Sequence, residues 1–344
     1  MHGDHLPLIS VIIVALNEEN YLQMLLDDLI RQTYPRQKRE FILVDSISKD
    51  NTRNLMENFA RKHEKENIKI LTNPGVIQAT GWNLGITAAK GEVIMRLDAH
   101  CRLPIDYFES CIKFLLKGEQ IVGGPVISLS SVNRPWVKLI NLIEKSRFGA
   151  SPASFRNFGS PKYVDSLAFA AYNKKVFSKV GLFNEQLKRS EDNEIHYRMR
   201  KAGFRFYFNP KIYSFRISRS KLNGLLKQYF GNAFWIGSTF WIAPGVLSYR
   251  YIIPSLFLLN IIIALILLLN KSYYYLLLLS ISYLLVALFF SLKNLSALKA
   301  REKPLVLMMP ILFLILHLTY GMGMLLGLVK ATIYKIRTKL KMKD

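Results

Sequence analysis

The sequence predicts an α/β domain built on a parallel β-sheet and followed by C-terminal transmembrane helices. Strand-like and helix-like segments alternate through roughly the first hundred of the 344 residues, which is typical of parallel sheets. Acidic residues directly follow two of these strands. From Tyr251 onward Leu, Ile, Phe and Tyr dominate, and this change of composition is the clearest boundary in the chain.

The predicted strands of the sheet are short runs rich in apolar and β-branched residues, and the first two of them have the pattern of buried strands. They cover residues 10–14, 41–44, 68–71 and 93–97. The segments between them predict helices over about 21–29, 51–65 and 81–89. This order gives a Rossmann-like sheet, whose ligands bind beyond the carboxyl ends of the strands. Asp45 and Asp98 occupy two of those ends.

The stretch 101–220 is less regular. It predicts a single strand over 122–129, a helix over 136–145, a loop over 146–161 that is rich in Ser, Gly, Asn and Pro, and helices over 176–180 and 191–201. For the last of these helices, Ser190 is a candidate N-cap and Gly203 is the stop signal.

Three apolar runs are long enough to cross a membrane. They cover residues 251–270, 273–292 and 304–329. The aromatic stretch 221–250 carries little charge, so we expect it to lie in the membrane interface. The loop 293–303 and the C-terminal tail are both basic, which places both in the cytoplasm. If all three runs crossed the membrane fully, the loop 293–303 and the C-terminal tail would lie on opposite sides of it. Either the last segment is re-entrant, bent at Pro310 or Gly321, or the aromatic stretch is itself a crossing.

The formal net charge of +23 indicates an anionic partner. In a soluble protein that partner would be nucleic acid, but beside membrane segments we expect anionic lipid headgroups and no nucleic acid. The only two cysteines, Cys101 and Cys111, imply no disulfide framework and fit a reducing compartment. The apolar run 6–16 lacks a basic flank and a cleavage site, so we expect a strand there, and a first domain that stays in the cytoplasm.

A candidate metal site follows the fourth strand. Asp98 and His100 are two residues apart in extended chain, so both side chains point the same way and can reach one ion. A carboxylate with an imidazole suits Mn²⁺ better than Mg²⁺, although either ion fits. An Asp that closes a turn beside an unrelated His explains the same triplet, and on the triplet alone this explanation is favoured.

A second candidate cluster combines Asn17, Glu18 and Glu19 after the first strand with Asp45 after the second. Groups at the carboxyl ends of parallel strands can hold the base and ribose of a nucleotide. Glu18 and Glu19 are also explained as acids at a helix N-terminus, where the helix dipole stabilises them. Taken alone, this structural explanation is the stronger one.

A candidate general base lies at the start of the helix over 191–201, where Glu191 and Asp192 precede another acid, Glu194. A carboxylate on a rigid helix start can take a proton from a hydroxyl group. Acids are also common in first turns for electrostatic reasons alone. His196 lies one turn after Asp192, and we favour a packed side chain over an acid–base partner.

Other residues carry weaker signals. Four basic side chains could reach a pyrophosphate or could be surface charges: Arg96, Lys174, Lys175 and Arg189. The Gly123-Gly124-Pro125 sequence leaves room for a sugar or forms a plain turn.

Six segments of the chain occur in an order that marks one enzyme family. They read VIIVALNEENYL, FILVDSISKDNT, NPGVIQATGWNLGI, GEVIMRLDAH, VDSLAFAAYNKKVFSKVGLFNE and SEDNEIHYRMRKAGFRF. Together they resemble glycosyltransferase family 2, and within it the bacterial exopolysaccharide enzymes similar to succinoglycan glucosyltransferases. The resemblance covers about residues 7–237, and a membrane tail is usual in that branch.

The resemblance implies the glycosyltransferase type A fold, with a nucleotide-binding half joined to an acceptor half. It also implies that the backbone at Ala15, together with Glu18 and Asp45, holds the base and ribose of a nucleotide-sugar donor. Members of this family invert the configuration of the transferred sugar.

The same resemblance assigns the reacting groups. Asp98 and His100 stand at the Asp-x-Asp metal motif, so Asp98 contacts both donor and metal, and the cofactor is Mn²⁺ or Mg²⁺. Asp192 stands at the catalytic base. Glu191, its neighbour, receives no role in proton transfer.

The chain departs from the family pattern at three places. Ser46 replaces the second Asp of a Val-Asp-Asp sequence, so recognition of the base is expected to differ. His100 replaces the last Asp of the metal motif, a variant expected in the succinoglycan-like branch. The Gln-x-x-Arg-Trp motif of processive synthases is missing, because Gln228 is followed by Tyr229 and Phe230. This favours addition of a single sugar.

We therefore expect an inverting, metal-dependent hexosyltransferase of cell-surface or exopolysaccharide synthesis. Its expected donor is a UDP-sugar, and its acceptor is a polyprenyl-linked or other membrane glycan. Residues 1–220 form the expected catalytic domain on the cytoplasmic face of the inner cell membrane, and residues 251–344 form the multi-pass anchor. The alternatives are a processive polysaccharide synthase, which needs the missing motif, and a non-catalytic membrane scaffold, against which Asp98, His100 and Asp192 argue.

Overall fold

The chain forms two units that divide close to where its composition changes. One segment of the N-terminal half belongs to the second unit. The computed structural model describes residues 6–129, 135–149, 159–217, 222–247, 249–295, 298 and 300–341. One unit comprises Met1–Leu129 and Ser154–Ile217, and the other comprises Ser130–Ala153 and Ser218–Asp344. Of the segment that the sequence places with the catalytic domain, the described residues 135–149 therefore group with the C-terminal helices.

The first unit begins with the predicted alternation of strands and helices. Its elements are β1 (Ile9–Ala15), α1 (Leu22–Ile30), β2 (Arg39–Asp45), α2 (Thr52–Lys62), β3 (Asn67–Thr72), α3 (Gln78–Ala88) and β4 (Val93–Asp98). Every residue of β1 and β2 is buried, as their apolar runs require.

The rest of the first unit is built from shorter elements. These are β5 (Cys101–Arg102), α4 (Tyr107–Leu115), β6 (Ile121–Gly123), β7 (Val126–Leu129), β8 (Lys162–Val164), β9 (Ala171–Asn173), α6 (Lys175–Val180), α7 (Glu191–Lys201), β10 (Phe206–Phe208) and β11 (Ser214–Ile217). They form an eight-stranded sheet in the order β3-β2-β1-β4-β9-β6-β10-β8 and a three-stranded sheet in the order β5-β11-β7.

The four strands of the predicted sheet are parallel and end together. Ala15 pairs with Asp45, and Val14 pairs with Asp98, so the carboxyl ends of β1, β2 and β4 share one edge. Alternate residues of β1 face opposite apolar layers. Val11 and Ile13 pack on one side, and Ile12 and Val14 pack on the other. A sheet covered on both faces places these polar strand ends at a fixed edge.

The prediction of one strand over 122–129 is wrong. The chain forms β6 in the large sheet and β7 in the small one, with Gly124 and Pro125 between them. A Cβ atom at Gly124 would lie 2.0 Å from the carbonyl oxygen of Ile212, so only glycine allows this close backbone contact. Gly124 therefore serves packing between segments, which favours the turn over a space for sugar.

The second unit is helical. It contains α5 (Pro135–Lys145), α8 (Leu222–Ser238), α9 (Tyr249–Leu269), α10 (Tyr274–Leu292) and α11 (Met309–Lys341), with a 3₁₀ segment at Ala300–Met308. Leu139, Ile140 and Ile143 of α5 share an apolar cluster with Phe313 and Leu316 of α11. This buried face explains why α5 groups with the C-terminal helices.

Three helical segments of the described chain are long and apolar enough to cross a membrane. They are Tyr249–Leu269, Tyr274–Leu292 and Glu302–Arg337. Helix α11 has 33 residues, begins at Met309 beside Pro310 and continues past Gly321. Of the loop predicted over 146–161, residues 150–158 lie outside the described part of the chain.

Candidate functional site

Hydrogen bonds extend the sheet edge beyond the strands and tie its loops together. The Ser46 amide donates to the Ala15 carbonyl at 2.9 Å, and the Asn73 amide donates to the Asp45 carbonyl at 2.8 Å. The Asp45 carboxylate accepts the Ser48 amide at 3.2 Å. Asp45 is therefore held by its own loop, at the edge where the sequence placed it.

The turn after β1 is fixed against the loop after β2. The Asn17 amide donates to Ser48 Oγ at 3.0 Å, and the Asn17 side-chain oxygen accepts the Lys49 amide at 2.8 Å. Asn17 has a φ of +55°, a conformation that Asn tolerates better than most residues. These contacts hold the loops around Ala15 and Asp45 together.

Glu18 and Glu19 do not lie in the first turn of α1, which begins at Leu22 and has no acid in that turn. The explanation by the helix dipole is therefore wrong for them. Glu19 Oε2 accepts the Asn51 amide at 3.0 Å, next to the start of α2. Glu18 Oε1 instead contacts His100 Nδ1 at 3.2 Å.

The contact between Glu18 and His100 brings a nucleotide candidate and a metal candidate together. Burial alone would lower the pKa of His100, but the hydrogen bond with Glu18 and the charges of Asp98 and Glu18 outweigh it, so the pKa is raised. Because Nδ1 faces Glu18, Nε2 is the nitrogen that remains for a metal ion.

Asp98, at the end of β4, and His100, in the turn that follows, offer a carboxylate and an imidazole but not a complete metal cage. Within the described residues, no group of three or more His, Cys, Asp and Glu side chains is placed to hold a metal ion. Two protein ligands with a carboxylate behind the imidazole suit an ion that takes its remaining ligands from water or a bound phosphate.

Arg96 was a candidate ligand for a pyrophosphate in the sequence, but its side chain is buried and paired with an acid. Its side chain is only 14% exposed, and Nη2 lies 3.4 Å from Glu191 Oε1. The guanidinium carbon lies 4.7 Å from the ring centre of Trp82 and 5.5 Å from that of Phe183. Arg96 is thus a buried cation between two rings, facing the start of α7.

Lys174 and Lys175 lie at the wrong end of the sheet for a phosphate bound near Asp98. Lys174 Nζ donates to the Ala89 carbonyl at 2.6 Å, and Asn173, just before it, pairs with Val93 at the amino end of β4. Arg189 is exposed and remains a candidate ligand for a pyrophosphate.

Glu191 is the residue that sequence reasoning missed. Its side chain is almost fully buried beside Arg96. Burial and the charge of Asp192 raise its pKa to about 7, although Arg96 opposes this shift. The sequence signal was present in the Glu191-Asp192 pair, but nothing in the sequence said which of the two faces inward.

Asp192 is half-buried at the first turn of α7, and its Oδ1 accepts the amide of Asn193 at 2.8 Å. The prediction that Ser190 caps this helix is wrong. Ser190 occupies the N-cap position, but it has a φ of +62°, outside the extended region that N-cap residues usually adopt, and its side chain makes no capping hydrogen bond. The acids at 191, 192 and 194 are the groups that favour this N-terminus.

His196 is a packed side chain, as the sequence favoured. Its Nδ1 lies 2.9 Å from Ser166 Oγ and its Nε2 lies 2.9 Å from the Tyr172 hydroxyl. Burial, with the charges of Arg96 and Arg200, lowers the pKa of His196 well below its usual value. A neutral ring between two hydroxyls fixes α7 on β9.

Ser46 stands where the family pattern has an acid, and its side chain is hydrogen-bonded to another buried polar residue, Asn73. Asn73 Nδ2 donates to Ser46 Oγ at 2.9 Å and to the Ile77 carbonyl at 2.9 Å. Both Ser46 and Asn73 are fully buried. Ser46 therefore stabilises the loop after β3.

Comparison with known proteins agrees with this architecture. A protein of Methanococcus voltae, dolichyl N-acetyl-alpha-D-glucosaminyl phosphate 3-beta-D-2,3-diacetamido-2,3-dideoxy-beta-D-glucuronosyltransferase, is 26% identical over 94% of this chain and 97% of its own. The succinoglycan biosynthesis protein ExoA of Rhizobium meliloti is 28% identical over 67% of this chain and 70% of its own.

A solved structure shares the fold. The mannosyltransferase PcManGT from Pyrobaculum calidifontis, determined with GDP-Man and Mn²⁺, superposes with a TM-score of 0.55 at 18% identity, covering 96% of this chain and 88% of that one. The predicted α/β fold of the glycosyltransferase type A class is thereby confirmed. A sequence profile of glycosyl transferase family 2 matches residues 10–181, half of the chain, and the protein belongs to that family.

Proposed function

We propose that this family 2 glycosyltransferase is a metal-dependent, inverting enzyme that moves a sugar from a UDP-sugar to a lipid-linked acceptor. The observation that carries the proposal is the 3.2 Å contact between Glu18 and His100 at an edge shared with Asp45 and Asp98. Candidate groups for nucleotide and metal thus converge, although they come from three different strands.

The donor nucleotide binds at the edge formed by β1 and β2. The Ala15 backbone and the Asp45 carboxylate hold the base and ribose, because both are fixed by the hydrogen bonds of the surrounding loops. Glu18 contributes to the same edge and also orients His100. A preformed site reduces the entropy lost when the donor binds.

Asp98 and His100 hold the metal ion, Mn²⁺ or Mg²⁺. A divalent ion there stabilises the negative charge that develops on a departing nucleoside diphosphate. Glu18 keeps the imidazole in the orientation that presents Nε2, and such outer-shell carboxylates strengthen metal binding. Asp98, half-buried as the last residue of β4, supplies the carboxylate ligand, and His100 follows it in a turn and not in extended chain.

Asp192 is the general base that takes the proton from the acceptor hydroxyl. Glu191 is less suited to this role, because it is buried and paired with Arg96, whereas Asp192 is partly exposed. As Asp192 takes the proton, the acceptor oxygen attacks the anomeric carbon on the face opposite the nucleoside diphosphate. The bond from that carbon to the diphosphate breaks, the nucleoside diphosphate leaves, and this single displacement inverts the configuration.

The acceptor is a polyprenyl-linked glycan, and the catalytic unit faces the cytoplasm at the inner cell membrane. Three apolar helices support membrane association. Residues 221–250 fit an interfacial position, because Lys330 Nζ lies 4.3 Å from the ring centre of Trp235 and Lys335 Nζ lies 3.4 Å from that of Trp241. Paired lysines and aromatic rings are typical of the membrane boundary.

The relatives' names support the lipid-linked acceptor as well. One is named for transfer to a dolichyl phosphate sugar and another for succinoglycan biosynthesis. The missing Gln-x-x-Arg-Trp motif supports transfer of one sugar per acceptor.

The test is a screen of UDP-glucose, UDP-N-acetylglucosamine, UDP-glucuronic acid and GDP-mannose for nucleoside diphosphate release by the full-length protein in detergent. We expect turnover of a UDP-sugar that requires Mn²⁺ or Mg²⁺ and rises when a polyprenyl diphosphate-linked sugar is added. Turnover in excess EDTA would contradict metal dependence, and no release from any donor would contradict the proposed activity.

A further inference from the structure

We propose that Arg96 is a positioning residue that fixes the start of α7, and with it Asp192, relative to Asp98. The inference rests on the proposed function, because it assigns Arg96 the task of holding the proposed base in register with the proposed metal ligand. No donor or metal contact is required of Arg96 itself.

Arg96 and Asp98 project from the same face of β4, because alternate residues of a strand share a face. From that face the Arg96 side chain reaches the first residue of α7, where Nη2 lies 3.4 Å from Glu191 Oε1. Asp192 is the next residue along the helix. Three consecutive links thus connect Asp98 with Asp192: the strand, the guanidinium and the helix start.

The position of the Arg96 guanidinium is itself fixed. It lies between the rings of Trp82 on α3 and Phe183, at 4.7 and 5.5 Å from their centres. A planar guanidinium stacks on aromatic rings and keeps its hydrogen-bonding edge free for a carboxylate, which a lysine ammonium cannot do equally well. The side chain therefore acts as a rigid link.

Helix α7 needs such a link at its first residue. Ser190 has a φ of +62° and provides no side-chain cap. Glu194, three residues further along the helix, accepts a hydrogen bond from Arg198 at 2.7 Å. Arg198 also donates to the carbonyls of Val180 and Leu182 at 2.7 Å each. Arg198 thus ties Glu194 to the carbonyls of Val180 and Leu182, whereas Arg96 pairs with Glu191, the first residue of the helix.

Charge also makes Arg96 necessary. The buried guanidinium of Arg96 carries the positive charge that faces the carboxylates of Asp98, Glu191 and Asp192. Without the guanidinium, the three acids would repel one another across the gap between β4 and α7. We expect the helix start to move away from Asp98 in that case.

A small displacement of the base is sufficient to slow the reaction. A shift of about 1 Å in a reacting group can reduce the rate by roughly 10²-fold, whereas binding by other parts of the substrate is hardly affected. A positioning role therefore predicts a loss in kcat without a comparable change in donor KM.

The experiment compares four variants of the full-length protein in detergent: Arg96→Lys, Arg96→Met, Glu191→Gln and the double variant Arg96→Met/Glu191→Gln. Diphosphate release is measured with the UDP-sugar that the wild type turns over fastest, together with Tm. We expect Arg96→Lys to lower kcat by about tenfold or more with donor KM within about threefold.

The double variant separates positioning from stability. Arg96→Met alone leaves a buried carboxylate unpaired and should lower Tm, whereas the neutral pair should recover much of that loss. We expect kcat of the double variant to stay about tenfold low although Tm recovers, because neither neutral side chain fixes α7. A merely structural pair would recover kcat together with Tm.

Arg39 and Glu66 provide the matched control. They form another buried ion pair, at 2.8 Å, with side chains 5% and 7% exposed, at the amino end of β2. The variant Arg39→Met/Glu66→Gln should change Tm but leave kcat within about twofold of the wild type, since this pair lies at the opposite edge of the sheet.

The inference is overturned if the double variant recovers kcat to within about twofold of the wild type, or if Arg96→Lys has wild-type kcat. If the neutral variants do not fold, the kcat of Arg96→Lys tests the inference by itself, because lysine keeps a positive charge beside Glu191. A wild-type protein without turnover of any donor contradicts the proposed function instead, so the two failures are distinguishable.

Discussion

Glu18 Oε1 lies 3.2 Å from His100 Nδ1, which joins the turn after β1 to the chain after β4. The sequence assigned the two residues to separate tasks, one to the nucleotide and one to the metal. Their contact makes these tasks dependent on each other, because the carboxylate that borders the nucleotide edge also orients the imidazole. A change at Glu18 should therefore alter metal affinity.

The first prediction concerns metal dependence. Activity should vanish with excess chelator and return best with Mn²⁺. His100→Ala should weaken metal binding, whereas His100→Asp should keep some activity with Mg²⁺, since a second carboxylate suits the harder ion. Glu18→Gln should raise the Mn²⁺ concentration for half-maximal activity by about tenfold or more, the range for outer-shell partners.

Glu19→Gln is the control for this series, because Glu19 contacts the loop before α2 and not His100. Metal titrations of diphosphate release are the measurement. Equal metal requirements in Glu18→Gln and Glu19→Gln would show that the contact with His100 has no part in metal binding.

The second prediction separates the two acids at the start of α7. Asp192→Asn keeps the shape and removes the basicity, so we expect kcat to fall by roughly 10²-fold or more while donor affinity survives. Glu191→Gln should cost clearly less in kcat than Asp192→Asn, because the buried Glu191 carboxylate holds α7 through Arg96 and takes no proton from the acceptor. Donor affinity and transfer rate are measured in parallel. A dead Glu191→Gln beside an active Asp192→Asn would reverse the assignment.

The third prediction concerns acid stability. The pKa of buried His196 lies well below its usual value, whereas in the unfolded chain it is about 6.5. The stability contributed by the neutral ring is complete above about pH 6.5 and is lost as pH falls, at roughly 1.4 kcal/mol per pH unit until the folded-state pKa is reached. His196→Phe should unfold more easily at about pH 7.5 but lose less Tm on acidification to about pH 5.5.

Thermal unfolding of both proteins in detergent at the two pH values measures this. Only the difference between wild type and variant is diagnostic, because Glu191, with a pKa raised to about 7, acts in the opposite direction. Its contribution is present below the unfolded pKa and is lost as pH rises through about 7. Identical slopes in wild type and variant would contradict the role assigned to His196.

The fourth prediction concerns membrane association. The full-length chain should stay in the membrane fraction after an alkaline wash and should need detergent for extraction, because its three apolar helices expose large side chains along their length. A chain truncated after Ile217 should still bind a nucleotide but use a lipid acceptor poorly. It should also aggregate, because the buried residues Leu139 and Ile140 of α5 lose their cover. Full-length protein that remains in solution without detergent would contradict the anchor.

The fifth prediction concerns close packing of α8 on α11. A Cβ atom at Gly327 would lie 2.1 Å from the Phe234 carbonyl oxygen, a contact that backbone cannot accommodate without moving. Gly327→Ala should therefore lower the free energy of unfolding by about 1–3 kcal/mol. Gly159→Ala is the control, since a Cβ atom there meets only Lys162 Nζ at 3.5 Å. Equal Tm values for the two variants would show that α8 and α11 separate at little cost.

Short-range patterns were sufficient for much of the fold. The runs that became β1 and β2 have apolar centres and are buried along their whole length, as burial on both faces requires. β3 was found from a shorter run that includes Lys69, and its residues are half-buried or exposed because it lies at the edge of the sheet. The prediction of a single strand over 122–129 was wrong because of a contact between residues that are far apart in the sequence. Gly124 is needed because the backbone at Ile212 passes beside it, 88 residues later in the chain.

The sequence by itself determined the α/β domain, the apolar C-terminal helices and the polar ends of the strands, because periodicity and composition are local properties of the chain. Only the tertiary structure decided which polar groups meet. Glu18 and His100 are 82 residues apart and Arg96 and Glu191 are 95 residues apart. It also decided that Glu191 faces inward, and that α5 packs with the C-terminal helices. Such pairings depend on how strands and helices are placed in space, and no spacing along the chain encodes that placement directly.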